Sequence, residues 1–368
     1  MLDVTEPMLE ALAIGAGILG TGGGGNPYNG KLECREQLRM GRAIRVVTLE
    51  ELPDDAFVTS VGGMGAPIVS VERLHRGDEP LRAMRALERH LGRRFTHVIP
   101  GEIGGANAMA PMVVAAQAGL PVIDGDGMGR AFPELQMDTF TIYGVHPTPG
   151  ALADPRGHEV MFDGIAEAET LERYARAVTI QMGGAAGYAF PPMTAGETRR
   201  TTIPGTVTLA IAMGEAVLAA RHGHGNPVDA ALAVAGGRRL FHGKIVDVER
   251  RLVGGFARGV LLLDGAGPDA KRRLRIDFQN ENLIARDGDG DVLAVVPDLI
   301  CIVDEDTAEP ITTEIVRYGL RVVVLGIPAP AMLKTQEALR VIGPAPFGYP
   351  DVAYKPLEGT YASGLPPR

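Results

Sequence analysis

Cysteine is scarce in this sequence, and its two cysteines, Cys34 and Cys301, lie far apart along the chain. Neither forms a C-x-x-C pair or stands near a histidine at a spacing that would ligate zinc. These facts argue against a disulfide framework and a cysteine-built zinc site, and they fit a protein of the reducing cytoplasm. Cys301 lies in an apolar run and is predicted to be an inert core residue.

Positive charge and long apolar runs are also lacking. Lysine and arginine total 36 against 45 for aspartate and glutamate, which gives a net charge of −9, and the basic residues are scattered. Nucleic acid is therefore not an expected partner. Asp3 and Glu6 stand where a secretory signal would be positive, and glycine or charge interrupts each apolar run before the ~20 residues that span a bilayer. The sequence predicts a cytoplasmic protein with no membrane segment.

Familiar motifs for nucleotide or nucleophilic chemistry are mostly absent. The sequence has neither H-E-x-x-H nor G-x-S-x-G, and Lys31 is not followed by the serine or threonine of a P-loop. Residues 15–20 match G-x-G-x-x-G, but they lie inside an apolar segment long enough to be a helix, and Met40 stands near the position of the expected acid. Close helix packing is the favoured reason for Gly15 and Gly17. A nucleotide- or dinucleotide-dependent enzyme is kept as an alternative function.

Glycine, by contrast, is abundant, with 49 residues, and it is concentrated after apolar segments. Three predicted strands each lead into a glycine-rich loop, and these loops cover residues 62–65, 101–107 and 124–134. In an open parallel sheet, ligands bind beyond the carboxyl ends of the strands. The three loops are therefore predicted to line one crevice.

The predicted fold class is α/β. Strands and helices alternate through residues 1–165, which indicates a doubly wound, mainly parallel sheet with right-handed crossovers. A helical segment begins near residue 166, and after about residue 241 the apolar period changes from 3.6 to 2, which is typical of a β-rich unit. At 368 residues the chain is long enough for two domains. We predict an α/β domain over residues 1–165 and a second domain, helical and then β-rich, over residues 166–368.

The candidate catalytic residues are three carboxylates and one arginine in these loops. They are Glu102, Asp124, Asp126 and Arg130. Carboxylates gathered at one crevice can bind a divalent cation, or one of them can have its pKa raised and act as a general acid or base. The alternative is that the two aspartates cap turns, as aspartate often does beside glycine. The sequence requires no cofactor and leaves a divalent metal open.

Candidate substrate-binding residues surround these acids. The glycine run at residues 22–25 can aim successive backbone amides at an anion or a developing oxyanion. A helix C-cap followed by a flexible turn explains the same run equally well. A polar cluster at residues 278–282 suits recognition of a polar ring such as an imide, or closes a hairpin. The candidates are Gly22, Gly23, Gly24, Gly25, Asn26, Gly63, Met64, Gly65, Asn107, Glu134, Gln279 and Asn280.

Five segments in order resemble one bacterial protein family. They are AIGAGILGTGGGGNP at 13–27, GGMGAP at 62–67, GEIGGAN at 101–107, DGDGMGRAFPE at 124–134 and FQNEN at 278–282. The family was long a domain of unknown function and is now named after S-methyl thiohydantoin desulfurase, and some members carry the label hydantoinase or oxoprolinase-related. The resemblance covers nearly the whole chain.

The resemblance implies an α/β plus β protein that acts on a five-membered cyclic imide. In the reaction that names the family, water attacks C2 of an S-methylated thiohydantoin, methanethiol is expelled and a hydantoin remains. Our hypothesis is a hydrolase in which Glu102, Asp124 or Asp126 takes a proton from the attacking water, while Arg130, Asn107 and the glycine amides stabilise the developing charge. A non-catalytic small-molecule-binding subunit of a hydantoinase-type system is a further alternative. The expected partner is a small-molecule substrate, and the chain is either monomeric or a homo-oligomer.

Overall fold

The computed structural model describes residues 1–65, 69 and 76–362. Ala66 and Pro67, which belong to the second of the five segments above, lie outside the described residues. None of the helices in the described part of the chain is long and apolar enough to cross a bilayer.

Helices and strands alternate through the first half of the chain, and strands dominate the second half. The helices of the described residues are α1 (Glu6–Leu19), α2 (Pro27–Arg39), α3 (Glu79–Leu91), α4 (Ala110–Ala118), α5 (Thr139–Ile142), α6 (Ala168–Gln181), α7 (Ala195–Thr201), α8 (Thr206–His222), α9 (Pro227–Ala235) and α10 (Gln336–Ile342). The strands are β1 (Leu2–Asp3), β2 (Arg45–Val47), β3 (Phe57–Gly65), β4 (His97–Pro100), β5 (Val122–Ile123), β6 (Gly125–Asp126), β7 (Gly150–Ala153), β8 (Glu159–Phe162), β9 (Ala185–Thr194), β10 (Ile203–Pro204), β11 (Arg238–Val253), β12 (Phe256–Gly265), β13 (Arg273–Gln279), β14 (Glu281–Asp287), β15 (Val292–Val295), β16 (Leu299–Asp304) and β17 (Arg321–Ile327).

The first sheet has eight strands in the order β1-β2-β5-β4-β3-β9-β7-β8. Its centre, β2-β5-β4-β3, is parallel, as the sequence predicts. Both edges are antiparallel, because β1 pairs with β2 and because β9 joins β3 to β7. The α/β class is confirmed, and the sheet has a parallel centre with antiparallel edges.

Alternate residues of the central strands face opposite layers of the molecule. Val46, Val98 and Val122 pack in the cluster that contains α1, α3 and α4. Their chain neighbours Ile99 and Ile123 pack in a second cluster with α5 and α7. This alternation follows from the two-residue period of a strand. Both faces of the parallel strands are therefore buried, which explains their continuous apolar sequence.

The G-x-G-x-x-G pattern is a helix-packing feature. Residues 15–19 lie within α1, which crosses α8 at close range. A Cβ atom on Gly15 would lie 1.9 Å from the carbonyl oxygen of Ala210, and one on Gly214 would lie 1.8 Å from that of Ala11. Only glycine permits this approach of two helix backbones. The prediction of close helix packing is confirmed, and this segment does not form a dinucleotide loop.

The second sheet has seven antiparallel strands in the order β15-β14-β13-β12-β11-β17-β16. The period-two pattern after residue 241 predicts six of these strands, and β14 was missed because it contains the polar residues 281–282. Two other segments differ from what their composition favours. The β-branched and aromatic residues at 139–143 predict a strand, but Thr139–Ile142 form the short helix α5, which Asp138 caps. Strand β9 was not predicted because its sequence is rich in alanine, glycine and proline.

Strand β9 follows α6 in the chain and yet lies inside the first sheet, between β3 and β7. Residues beyond 165 thus complete the sheet that begins in the N-terminal segment. The division of the chain at residue 165 stays a prediction.

Candidate functional site

A cavity of about 190 Å³ lies where the glycine-rich loops meet the second half of the chain. Its wall includes the start of α2, the ends of β3 and β4, the loop after β6 and the turn between β13 and β14. Ten of the predicted site residues line it: Gly24, Gly25, Asn26, Gly63, Met64, Gly65, Glu102, Asn107, Glu134 and Asn280. The three predicted loops therefore share one hollow with the first glycine run.

Direct hydrogen bonds hold these loops together. The amide of Gly127 donates to the carbonyl of Gly101 at 3.0 Å, and the amide of Asn107 donates to the carbonyl of Gly24 at 3.1 Å. A Cβ on Gly24 would lie 2.3 Å from the carbonyl oxygen of Gly104. The loops are packed backbone against backbone, which only glycine allows at this distance.

Glu102 follows β4 and presents a buried carboxyl group to the cavity, with 6% of the residue exposed. One carboxyl oxygen accepts from the side-chain amide of Asn107 at 2.6 Å and the other from the backbone amide of Phe132 at 3.2 Å. Burial raises the pKa of Glu102 to about 8, and the neighbouring Asp126 adds to the rise, against the opposing effect of its hydrogen bonds and Arg130. Glu102 therefore titrates near neutral pH, where a proton can be both taken and returned.

Asn107 fixes the position of Glu102. Its side-chain oxygen accepts from the amide of Gly63 at 2.8 Å, and its nitrogen donates to the carbonyl of Gly63 at 3.0 Å as well as to Glu102. Both protons and the acceptor of this amide group are thus engaged. Asn107 connects the end of β3 to the carboxyl group and acts as a positioning residue.

Glu281 is a second buried carboxyl group in the cavity, and the sequence prediction missed it. It begins β14, directly after Asn280, whose φ of 56° turns the chain between β13 and β14. Two hydrogen bonds with the backbone of Ala257 hold Asn280 in this left-handed conformation, at 2.7 and 2.9 Å. Burial raises the pKa of Glu281 well above its ordinary value, and the charge of Glu102 raises it further.

The glycine run at residues 22–25 has a defined conformation, held by hydrogen bonds, and is not a flexible linker. Thr21, Gly22, Gly24 and Gly25 all have positive φ angles. The carbonyl of Gly22 accepts from the amide and hydroxyl of Thr313, at 2.8 and 3.1 Å. Within the described residues, no acceptor pairs with the amides of Gly24 and Gly25, and both residues line the cavity. These two amides are therefore candidate donors to a ligand in the cavity.

Apolar side chains form much of the remaining wall. Met64, Met128 and Phe132 are nearly buried and face the same hollow as Glu102. Tyr188 also lines it, and its ring lies so close to β3 and β4 that a Cβ on Gly62 or Gly101 would approach the hydroxyl within 3 Å. The cavity therefore combines apolar walls with polar and acidic side chains.

Asp126 lies behind the cavity and does not line it. The side chain is fully buried, and one carboxyl oxygen accepts from the amides of Ile103, Met128 and Gly129 at 2.9, 3.0 and 2.7 Å. Burial raises its pKa to about 7. These bonds join the loops after β4 and β6. Asp126 is thus next to Glu102 in space; its oxygen Oδ2 is committed to backbone contacts, and its oxygen Oδ1 has no partner among the described residues.

Asp124 is further removed from the cavity. Its carboxyl group accepts from the backbone amide of Thr208 at 3.0 Å and from the hydroxyl of the same residue. Thr208 lies in the first turn of α8, so Asp124 satisfies one of the free amides of that helix. The alternative reading of the two aspartates, as capping groups, describes Asp124 well.

Arg130 is also outside the cavity lining, and its guanidinium group is fully used. It is completely buried and donates to the carbonyls of Ala131, Pro297, Asp298 and Asn282 and to the hydroxyl of Thr21. Its guanidinium lies 4.6 Å from the centre of the Phe132 ring. Arg130 therefore connects the glycine run to the second sheet, and it has no free donor for a substrate.

The remaining predicted residues divide into those that line the cavity and those that do not. Glu134 lines the cavity and accepts from the side chain of Gln136. Gly22, Gly23 and Gln279 support the wall from behind without lining it. Asn26 caps α2 by accepting from the amide of Tyr28 at 3.0 Å.

Further acids line the outer part of the cavity. Glu79 accepts from the amides of Arg76 and Gly77, and Glu33 lies near it, so that burial and the charge of Glu79 both raise the pKa of Glu33.

The described residues contain no group of three or more histidine, cysteine, aspartate or glutamate side chains placed to hold a metal ion. A carboxylate metal centre has no support within that part of the chain.

The chain is similar to known proteins along its length. A family model described as the N-terminal domain of S-Me-THD-like proteins matches residues 7–164, and one described as the C-terminal domain matches residues 166–357. An X-ray crystal structure of a protein from Chromobacterium violaceum is 26% identical in sequence, with a TM-score of 0.79 over 97% of this chain and 100% of that chain. No curated protein matches the chain.

Proposed function

This chain belongs to the S-Me-THD-like family, the family of S-methyl thiohydantoin desulfurase, and we propose that it is a hydrolase acting on a hydantoin-like ring. The observation that carries the proposal is Glu102, a buried carboxyl group at a small apolar cavity with a pKa near neutral pH. Such a group can take a proton from water and return it within one reaction cycle.

The reaction balances with one water molecule. The water oxygen forms a bond to C2 of an S-methyl thiohydantoin, and the ionised carboxyl group of Glu102 takes one of its protons. The electrons of the C2=N bond move to the ring nitrogen. The C2–S bond then breaks as C2=O forms, the remaining proton of the C2 hydroxyl is transferred to the ring nitrogen, and methanethiolate takes the proton held by Glu102. The products are a hydantoin and methanethiol.

The wall of the cavity suits this substrate class. Met64, Met128 and Phe132 provide apolar contacts for a methylthio group and a flat ring. The amides of Gly24 and Gly25 line the cavity, and in this proposal they donate to charge that develops on the ring, a contribution that is typically worth about 3 kcal/mol per donor. Arg130, Asp124 and Asp126 have no part in this proposal, because none of them lines the cavity.

The test is a thiol-release assay with a small panel of S-methyl thiohydantoins. In wild type, kcat/KM should rise with pH and level off above about pH 8, because Glu102 acts in its ionised form. Glu102→Gln should lower kcat by about 100-fold or more while the protein still folds. Glu314→Gln, at a partly buried glutamate outside the cavity lining whose pKa is also raised by burial, is the control and should keep wild-type rates.

Two results would contradict the proposal. One is wild-type activity in a folded Glu102→Gln variant. The other is tight ligand binding with no thiol release from any member of the panel, which is the result expected of a non-catalytic binding subunit.

A further inference from the structure

Glu281 is a buried carboxyl group at the wall of the cavity. Only 2% of the residue is exposed, and its oxygen Oε2 has no hydrogen-bond partner among the described residues. Burying such an oxygen without a partner is unfavourable, and at a cavity wall a ligand can supply the partner.

The backbone around Glu281 is built to hold the carboxyl group at this place. Asn280 is fixed by Ala257 on one side, and the hydroxyl of Thr313 donates to its carbonyl at 2.6 Å. On the other side the carboxyl group lies against the glycine run, since a Cβ on Gly23 would come within 1.9 Å of Oε1. The side chain is thus confined between the hairpin and the loop, at the wall of the cavity.

Three charged groups act on this carboxyl group. Glu102, from the loop after β4, disfavours its ionisation, while Arg130, after β6, and Arg176, from α6, favour it. Neither arginine forms an ion pair with Glu281. Arg130 donates to carbonyls and to Thr21, and Arg176 pairs with Glu172 at 2.7 Å. Burial and Glu102 outweigh them, which raises the pKa of Glu281.

We propose that the carboxyl group of Glu281, as the neutral acid, binds the amide edge of a cyclic imide through two hydrogen bonds. The hydroxyl donates to a ring carbonyl, and the carboxyl C=O accepts from the adjacent ring N–H. A ring holds the N–H and C=O on the same side of the amide bond, so the two groups match the two atoms of a carboxylic acid. The inference rests on the proposed function in that it takes a hydantoin-type ring as the ligand.

This geometry distinguishes cyclic imides and lactams from other classes of ligand. A cyclic imide or lactam offers both a donor and an acceptor on one edge. A carboxylate ligand offers only acceptors and would be repelled once Glu281 ionises, and a ring methylated on both nitrogens offers no donor. Specificity of this kind is strong when the protein group is buried, because an unmatched ligand leaves it unpaired.

The experiment measures binding of hydantoin and of 1,3-dimethylhydantoin by calorimetry at one slightly acidic pH. Wild type should bind hydantoin, and it should bind the dimethylated ring about 10- to 100-fold more weakly. Glu281→Gln keeps a donor and an acceptor on the same edge, so its affinity for hydantoin should be close to that of wild type. Glu281→Met should bind hydantoin about 10- to 100-fold more weakly than wild type. Glu314→Gln is again the control and should behave as wild type.

Three outcomes would overturn the inference. They are a Glu281→Gln variant that binds as weakly as Glu281→Met, equal binding of the dimethylated ring, and no binding of hydantoin to wild type. Thermal unfolding checks that each variant is folded, and if Glu281→Met does not fold, the comparison of hydantoin with the dimethylated ring in wild type and in Glu281→Gln still decides the matter. The predicted pattern without thiol release would support this inference and refute the hydrolase, and thiol release without the pattern would do the reverse.

Discussion

Glu102→Gln should change the pH dependence of stability in a direction that the structure specifies. The pKa of Glu102 rises from 4.5 to about 8 on folding because the carboxyl group is buried. Between these values the folded protein holds a proton that the unfolded chain has lost. The stabilising contribution of the protonated group is therefore complete below about pH 4.5 and is lost as pH rises through about 8. Glutamine carries no such proton, so this contribution disappears in the variant.

The expected size follows from proton linkage. A difference of one bound proton changes the free energy of unfolding by about 1.4 kcal/mol per pH unit, and the whole interval corresponds to an upper limit of ~5 kcal/mol. Glutamine also replaces one acceptor by a donor, although both oxygens of Glu102 accept hydrogen bonds, from Asn107 and Phe132. That change costs about 1–2 kcal/mol at every pH. The diagnostic quantity is therefore the slope of the free energy of unfolding against pH, and not a difference between the two proteins that is the same at every pH.

The assay is urea unfolding of wild type and Glu102→Gln at four values between about pH 5 and about pH 8. Relative to the variant, wild type should lose stability steadily as pH rises. Glu36→Gln, on the exposed surface of α2, is the control and should run parallel to wild type. The assignment of a buried carboxyl group with a raised pKa would be refuted if the free energies of unfolding of wild type and Glu102→Gln changed in parallel with pH. It would also be refuted if wild type gained stability relative to the variant as pH rises.

Three further substitutions test the surroundings of the cavity. Gly23→Ala places a methyl group 1.9 Å from the Glu281 carboxyl, so hydantoin binding should fall by about 10-fold, while Gly41→Ala, with no neighbour within 4 Å, should not affect it. Arg130→Met removes the hydrogen bonds that join the glycine run to the second sheet, and urea unfolding should show a loss of about 3–5 kcal/mol. Asp124→Asn weakens the cap of α8, so the melting temperature should fall, with a loss of about 1–2 kcal/mol, and without the loss of thiol release expected for Glu102→Gln.

The sequence identified most of the local structure because local rules sufficed. The apolar pattern and Asn226 predict α9 at its observed bounds, and the asparagine side chain does accept from the amide of Asp229. Residues 139–143 show where such rules fail. Threonine, phenylalanine and tyrosine favour a strand, but the side chain of Asp138 accepts from the amide of Thr141 and starts a helix.

The roles of the acids were beyond the reach of sequence patterns. Glu102, Asp124 and Asp126 all follow strands and stand beside glycine, so composition treats them alike. Their partners separate them: Asp124 meets the first turn of α8, and Asp126 meets the loop after β4. Those partners are remote in sequence, and no local sequence pattern predicts them.

By itself the sequence determined the α/β class, the glycine-bordered loops at strand ends and the likeness to one family, because these follow from periodicity and from motifs within short segments. The tertiary structure alone decided which groups reach the cavity. Glu281 lies there because a left-handed turn at Asn280 and contact with Gly23 direct it inward, and Arg130 is kept away because distant carbonyls occupy its guanidinium. Burial and hydrogen-bond partners arise only when remote segments pack together, and they set both the charge and the availability of each side chain.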